Sequence, residues 1–410
     1  MSYYEFQTAK RYVQYPGALR EFARYACPIG KRLLIITASN TVKARLENDI
    51  RESFIQPCAS SFNKSLIDES PKYAAYVSQG CRFDAMKGGM EYSFIDVRNK
   101  VLNAQNAQTL AAYVKARQFD VVVGTGGGKG LDFARAVTHF TPVKVILVPT
   151  TAATNASISQ CSVIYIDDGS KIREYWQMDT APELVLADTE ILLDTAPSIL
   201  ASGMGDIIST YYEALCSVAL THSKEKNSLL SVEGIRLAID IVMRCGTDAL
   251  SAVKTHKSNP AFECVLSLIL HNCGPFRAIC GLGFAHVLDE IMLSFPAAHK
   301  VPHGLRVGFA TIPMLLYQGA SPAVINRYLA FCRQTGIPSS LAEIGLEHIS
   351  WDEWLQAAEK TVAEGGGMTS LPYPLSVQNI IHSLKRANAY IESQVCQSPC
   401  QPDKPDDPDR

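Results

Sequence analysis

The sequence predicts an N-terminal α/β domain built on a parallel sheet, followed by an all-α domain. Three observations carry this expectation. Short continuous runs of Val, Ile and Leu recur in the first half, separated by stretches long enough to hold a helix. Such runs mark strands buried on both faces of a parallel sheet. A glycine-rich turn joins one of these runs directly to a helical pattern. After Pro197 the apolar residues change to a helical period, punctuated by Gly and Pro. The expected division is an α/β domain over 1–196, an all-α domain over 197–395 and a disordered tail over 396–410.

In chain order, "RLLIITAS" reads as a strand, as do "DVVVG", "VKVILVPTT" and "LVLADTEIL". "SVIYIDDGSKIREYW" has a different form, two extended runs about an Asp-Asp-Gly turn, which is a hairpin pattern. "IRLAIDIVMRC", "AFECVLSLILHNC" and "RVGFATIPMLLYQ" are apolar and helix-length. The end of the chain, "CQSPCQPDKPDDPDR", is rich in Pro and Asp and has almost nothing to bury, so disorder is expected there.

The 410 residues are 47% hydrophobic and 19% charged, enough to bury a large core. A net charge of -2 argues against nucleic acid as the main partner. No apolar run approaches the length of a membrane span, and the first residues lack the apolar centre of a secretory signal. Twelve cysteines are scattered without CxxC pairs, the pattern of a reduced, cytoplasmic protein.

The stretch "VVVGTGGGKGLDFARAV", Val121 to Val137, looks like a phosphate loop but fits neither common pattern. Val123 and Gly130 break the P-loop pattern, and Lys129 stands where the third Gly of GxGxxG belongs. What remains is an apolar strand, glycines that permit close backbone approach, and a helix whose N-terminus attracts an anion. A plain strand–turn–helix connection is the alternative.

A candidate metal constellation lies in the second half. His286 sits in an apolar helical context, and His303 lies between Pro302 and Gly304, as at a helix entry. Asp206 lies among small residues where a helix is expected to begin. Two imidazoles and a carboxylate with one open position suit Zn²⁺ or Fe²⁺. His299 and His303 form a competing i,i+4 pair, against which Pro302 argues. A satisfied core histidine is the bland alternative for His286.

Together these segments resemble the glycerol dehydrogenase branch of the iron-containing (group III) alcohol dehydrogenases, from about Tyr12 to about residue 395. The resemblance runs through "RYVQYPGAL", "GTGGGKGLDFARAV", "VPTTAATNASISQCSVIY", "LVLADTEILLDTAPSILASGMGDIISTYYEA", "GFAHVLDE" and "PHGLRVGFATI". It implies a metal-dependent NAD(P)-linked dehydrogenase acting on a small secondary alcohol, polyol or 2-hydroxy acid, assembled as a homo-oligomer. By the same resemblance Gly127, Gly128 and Lys129 would hold the pyrophosphate of NAD or NADP, with Asp132 in the first turn of the following helix. Thr150, Thr151 and Thr154 would line the nicotinamide side, with Ser159 and Tyr165 from the hairpin. Asp206, His286 and His303 match the metal ligands one by one.

Two departures from the family pattern stand out. Where glycerol dehydrogenases place an Asp that contacts the polyol, this chain has Asn155. An amide hydrogen-bonds a hydroxyl but holds no charge, so an acidic substrate is repelled less and glycerol itself is in question. At the end of the strand "LLIITASN", Thr37, Ala38, Ser39 and Asn40 supply no acid for a ribose 2′-hydroxyl; Lys43 or Arg45 could pair with a 2′-phosphate, and a solvated helix face is the bland reading of both. Sister activities compete with this reading. A glycerol-1-phosphate dehydrogenase or a synthase on the same scaffold would want cations such as Arg277, Lys300 or Arg306 near the metal. A nucleotide-binding relative without turnover is the rival from another class.

Overall fold

A computed structural model describes residues 8–38, 42–55, 84–86, 90–159, 161–169, 172–220, 229–272, 283–364, 371 and 373–397. Nine strands lie among them: β1 (Tyr12–Tyr15), β2 (Arg32–Thr37), β3 (Asp84–Met86), β4 (Met90–Asp96), β5 (Val121–Gly126), β6 (Lys144–Pro149), β7 (Cys161–Tyr165), β8 (Ile172–Gln177) and β9 (Leu184–Asp188). Seven form one sheet in the order β1-β9-β6-β5-β2-β4-β3. All its pairings are parallel except that of the edge strand β3 with β4. β7 and β8 form the separate antiparallel hairpin, with a bulge at Ile164/Tyr165.

The strands carry apolar side chains on both faces because both faces are covered. Leu34, Ile36 and Val122 enter one core, while Leu33, Ile35, Val121 and Val123 enter the other. Helices α1 (Phe22–Ala26), α2 (Lys43–Ile55), α3 (Ala104–Ala116), α4 (Gly128–Thr138) and α5 (Thr189–Leu193) belong to this half. β4 did not stand out in the sequence because Glu91, Tyr92 and Ser93 interrupt its apolar run. The expected strand "LVLADTEIL" is shorter than its pattern: Asp188 accepts from the backbone N–H of Glu190 and starts α5.

The chain continues as α6 (Pro197–Leu220), α7 (Leu229–Thr255), α8 (Pro260–Ser267), α9 (Phe284–Met292), α10 (His303–Tyr317), α11 (Pro322–Thr335), α12 (Trp351–Ala363) and α13 (Val377–Gln397). Proline at the first turn of α6, α8 and α11 uses the position where a missing N–H loses nothing. These helices share one large core, which also takes in Ala152, Ile158, Ala187, Leu192 and Leu193 from the α/β half. α13 extends through Gln397, into the start of the expected tail; the rest of that tail lies outside the described residues. Among the described residues no helix is long and apolar enough to cross a membrane.

Strand order reverses between β2 and β5, with β4 to one side and β6 to the other. In open α/β sheets that reversal opens a crevice at the carboxyl ends of the strands. β5 ends there, in Gly126 and the glycine-rich turn.

Candidate active site

The turn after β5 depends on glycine at positions with different duties. Gly126 has φ 132, a backbone conformation that side chains disfavour. A Cβ on Gly130 would stand 2.2 Å from the Thr125 carbonyl oxygen, and one on Gly124 would stand 2.6 Å from the Ala134 Cβ. These two glycines let α4 lie directly on β5. Gly127 and Gly128 face more space: their Cβ atoms would approach only Thr151 Oγ1 at 3.1 Å, and Ala156 Cβ and Thr154 Oγ1 at 3.6 Å. α4 starts at Gly128, so its unpaired N–H groups and positive dipole end open onto the crevice.

The second wall comes from the helices. Small residues in α6 were expected to mark the helix start near Asp206, but α6 begins at Pro197 and Asp206 lies well inside it. The small residues serve close packing instead. A Cβ on Gly203 would meet the Ala152 carbonyl oxygen at 1.9 Å, and one on Gly205 would meet the Gly304 carbonyl oxygen at 2.2 Å. The loop after β6 and the N-terminus of α10 can therefore press against α6. That contact carries Asp206 next to His303, the first residue of α10.

Asp206, His286 and His303 each offer a donor atom, and these atoms lie within 4.8 Å of one another. His286 Nε2 and His303 Nε2 both stand 3.7 Å from Asp206 Oδ1. Their Nδ1 atoms face away, to Glu213 Oε2 and Asp289 Oδ2 respectively, each at 2.8 Å. With Nδ1–H donating to a carboxylate, each Nε2 keeps its lone pair for the centre. Glu213 also accepts from the His286 backbone N–H at 2.9 Å. Asp289 is held by the Arg306 guanidinium, with Nε at 2.5 Å from Oδ1.

The donors fit a divalent ion. Bonds of about 2.0–2.2 Å to a tetrahedral Zn²⁺ leave donors roughly 3.4 Å apart, near the 3.7 Å from Asp206 Oδ1 to each Nε2. The charge agrees as well. Burial opposes a charge on His286, but Glu213 and Asp206 outweigh it and raise the imidazole to about 10. Burial likewise opposes the Asp289 carboxylate, and His303 and Arg306 outweigh it and bring it down to about 2. These carboxylates thus favour a positive charge among them, supplied either by a proton on the imidazole or by a bound cation that takes its place.

One cavity of about 570 Å³ joins the two walls. Gly128, Lys129, Asp132, Thr154, Asn155, Ser159 and Tyr165 line it together with Asp206, His286 and His303. Asn155 is buried, and its backbone N–H donates to Asp206 Oδ2 at 3.0 Å, so it touches the centre directly. Lys129 extends to the Arg98 carbonyl oxygen at 2.9 Å, and burial lowers its ammonium from the usual lysine range. Burial raises the Tyr165 hydroxyl, with Asp132 adding to the effect.

Asp132 lines the cavity from a different turn than expected, and other expected residues stand apart from it. Asp132 is in the second turn of α4, not the first, because the helix begins at Gly128; its carboxylate pairs with Arg135 and accepts from the Val163 N–H. Thr150 is buried behind the loop, its N–H bonded to the Gly126 carbonyl, and Thr151 lies against Gly127. Ser39 and Arg277 lie outside the described residues. His299 is on the surface and faces the Leu293 carbonyl, apart from His303, because the chain turns at Val301 and Pro302 before α10. Arg306 is committed to Asp289, and Arg45 to Glu190 and Asp194.

Sequence reasoning missed Glu213 and Asp289, and it named Arg306 only as a candidate cation for a phosphate substrate, whereas the residue holds Asp289. A signal was present: Glu213 is two helical turns beyond Asp206, and Asp289 and Arg306 each lie one turn beyond a histidine. Nothing in that spacing says that Asp289 serves His303 rather than its own helix neighbour His286.

The profile of the iron-containing alcohol dehydrogenases matches residues 81–189. The chain is 31% identical over 274 residues to a glycerol dehydrogenase of Thermotoga maritima, covering 66% of this chain and 75% of that protein. A glycerol dehydrogenase of Escherichia coli is 27% identical over 387 residues, with 94% of this chain and 96% of the relative covered. The fold agrees with the crystal structure of a probable glycerol dehydrogenase from Sinorhizobium meliloti, with a TM-score of 0.79, 21% identity, and 96% and 100% of the two chains covered. On this ground the chain belongs to the iron-containing alcohol dehydrogenases, in their glycerol dehydrogenase-like branch, and is an oxidoreductase.

Proposed function

We propose that the protein interconverts a small secondary alcohol, a polyol or a 2-hydroxy acid with its carbonyl form, using NAD or NADP and one divalent ion, Zn²⁺ or Fe²⁺. The supporting observation is the shared cavity, lined by the α4 N-terminus and by Asp206, His286 and His303. In this reading residues 1–196 bind the nucleotide, residues 197–395 hold the ion, and the chain works as a homo-oligomer. Bound, the ion supplies Lewis-acid polarisation of the substrate oxygen, and the nicotinamide carries the hydride.

The chain's own residues do the rest. The N–H groups at the start of α4 and Lys129 neutralise the pyrophosphate without crowding it. Thr154, Ser159 and Tyr165 bring hydroxyls to the cavity wall. Glu213 and Asp289 fix the tautomer and ring orientation of the two histidines. Asn155 presents a neutral amide beside the centre, where its two donors and one acceptor can orient a hydroxyl or a carboxylate.

A substrate panel tests this. Metal-stripped protein is reloaded with Zn²⁺ or Fe²⁺ and offered diols, 2-hydroxy acids and ketones with each nucleotide, followed at 340 nm. Metal-restored turnover on a member of the panel is the expected result. Turnover that is unaffected by chelation would remove the ion from the reaction.

A further inference from the structure

We infer that Lys43 and Arg98, gathered on Asp96, form a 2′-phosphate site that makes this chain prefer NADP over NAD; the inference rests on the dinucleotide reading above. β2, β4 and β5 end side by side at the crevice, with Thr37 registered against Asp96 on one flank and Thr125 on the other. Asp96 is thus two strand spacings, about 10 Å, from the strand end that leads into the glycine turn. Lys129, in the first turn of α4, reaches across this gap to the Arg98 carbonyl. A dinucleotide with its pyrophosphate on α4 would extend its adenosine ribose over the end of β2 toward Asp96 and Arg98.

In dinucleotide-binding sheets an acid in this neighbourhood binds the ribose 2′-hydroxyl of NAD, and a cation accommodates the 2′-phosphate of NADP. Ala38, which follows β2, offers no acid. Asp96 is an acid, but its oxygens are already engaged. Oδ1 accepts from the Arg98 backbone N–H and from Arg98 Nε, both at 3.0 Å. Oδ2 accepts from Lys43 Nζ at 2.7 Å and from Arg98 Nε at 2.8 Å. The Nε–H is shared between the two oxygens, and Arg98 Nη2 adds a contact to Oδ2 at 2.7 Å, so both carboxylate oxygens are taken up by these two cations. Burial opposes its charge, and these two cations outweigh burial and hold it at about 2. Asp96 therefore acts as a tether that gathers two cations at one point.

Glu47 stands 3.7 Å from Lys43 and softens its charge without a hydrogen bond. The Lys43 and Arg98 side chains stay 21% and 36% exposed, within reach of solvent and of an incoming anion. With Nε and Nη2 of Arg98 turned to Asp96, a phosphate would meet the guanidinium at its Nη1 edge in a single charge-assisted contact, and Lys43 adds a point charge. Arg45, the other cation near this strand in sequence, faces Glu190 and Asp194 instead and takes no part.

The test is equilibrium binding of NADPH and NADH to the full chain, read by nicotinamide fluorescence. Wild-type protein should bind NADPH more tightly. Arg98→Ala and Lys43→Ala should each weaken NADPH by about tenfold, the loss of one charge-assisted contact, and leave NADH nearly unchanged. Arg98→Lys should fall between. Thermal melting of each variant shows whether it has folded, and the Arg98→Lys protein keeps the test open if an alanine variant has not. Equal or tighter binding of NADH by wild type overturns this inference alone. So do variants that weaken both nucleotides equally. Failure of both nucleotides to bind overturns the dinucleotide reading as well.

Discussion

On the sheet side of the crevice, Gly124 and Gly130 let α4 rest on β5; on the helical side, Gly203, Gly205 and Gly304 let α6 meet α10 and the loop after β6. Both walls use missing side chains to bring backbones together, yet the groups they present differ. The sheet side offers mostly backbone N–H groups at a helix start, which fit an anion through geometry. The helical side offers charged and titratable side chains from three helices, with each histidine held by a carboxylate and Asp206 by the Asn155 backbone N–H. A backbone site tolerates changes that leave glycine space intact. A side-chain site fails when any one member is removed.

The sharpest test of that contrast is on the helical side. His286→Ala and His303→Ala should each release the metal and lower turnover by about 10³-fold or more, the scale of losing several kcal/mol of Lewis-acid stabilisation. His299→Ala should change neither, because its ring contacts the Leu293 carbonyl on the surface. Metal content by elemental analysis and kcat/KM decide it. Metal loss in His299→Ala but not in His286→Ala would reverse the assignment.

The next test separates two kinds of glycine on the sheet side. Gly127→Val should keep the fold, since a Cβ there meets only the Thr151 hydroxyl at 3.1 Å, but should abolish NAD(P)H fluorescence enhancement. Gly130→Ala should destabilise instead, by about 1–3 kcal/mol, because its Cβ would overlap the Thr125 carbonyl. If both variants melt early and both still bind nucleotide, the two positions are equivalent and the backbone-site account fails.

This division also explains what could be read from the sequence. The apolar run Val121–Val123 and the glycines after it are contiguous, so strand, turn and helix start show in one stretch. Asp206, His286 and His303 are far apart in the chain, and their nearness depends on the depth to which α10 presses into α6. The family resemblance pointed to all three; their spacing did not. Glu213 and Asp289 left only a helical spacing as signal, because the histidines they hold lie on other helices. β4 was missed because polar residues interrupt its pattern, and with it went the site of Asp96.

Glu213→Gln and Asp289→Asn should have intermediate effects. Each keeps the size of the side chain but weakens its hold on a histidine Nδ1. Metal affinity should fall by about 10–100-fold, the range for partners of this kind, with the protein still folded. Competition against a calibrated chelator measures it. Affinities equal to wild type in both variants would mean that the histidines need no such support, and that the helical wall is less cooperative than proposed.

The smallest effect is expected where the two walls meet, at Asn155. Its backbone N–H donates to Asp206 from the sheet side, while its side chain belongs to the cavity that holds the histidines. Asn155→Asp alters charge alone and preserves the backbone bond to Asp206. A new carboxylate there repels an acidic substrate, and a partly screened like charge costs about 1–4 kcal/mol. The kcat/KM for a 2-keto acid relative to glycerol should therefore drop by about tenfold or more. The same acid accepts hydrogen bonds from a polyol, so glycerol oxidation should rise or hold. Wild type should reduce 2-keto acids or neutral ketones better than it oxidises glycerol. If Asn155 only shapes the loop after β6, the substitution leaves this ratio where it was. A wild type that clearly favours glycerol, or an unmoved ratio in the variant, would show that this position does not choose the substrate.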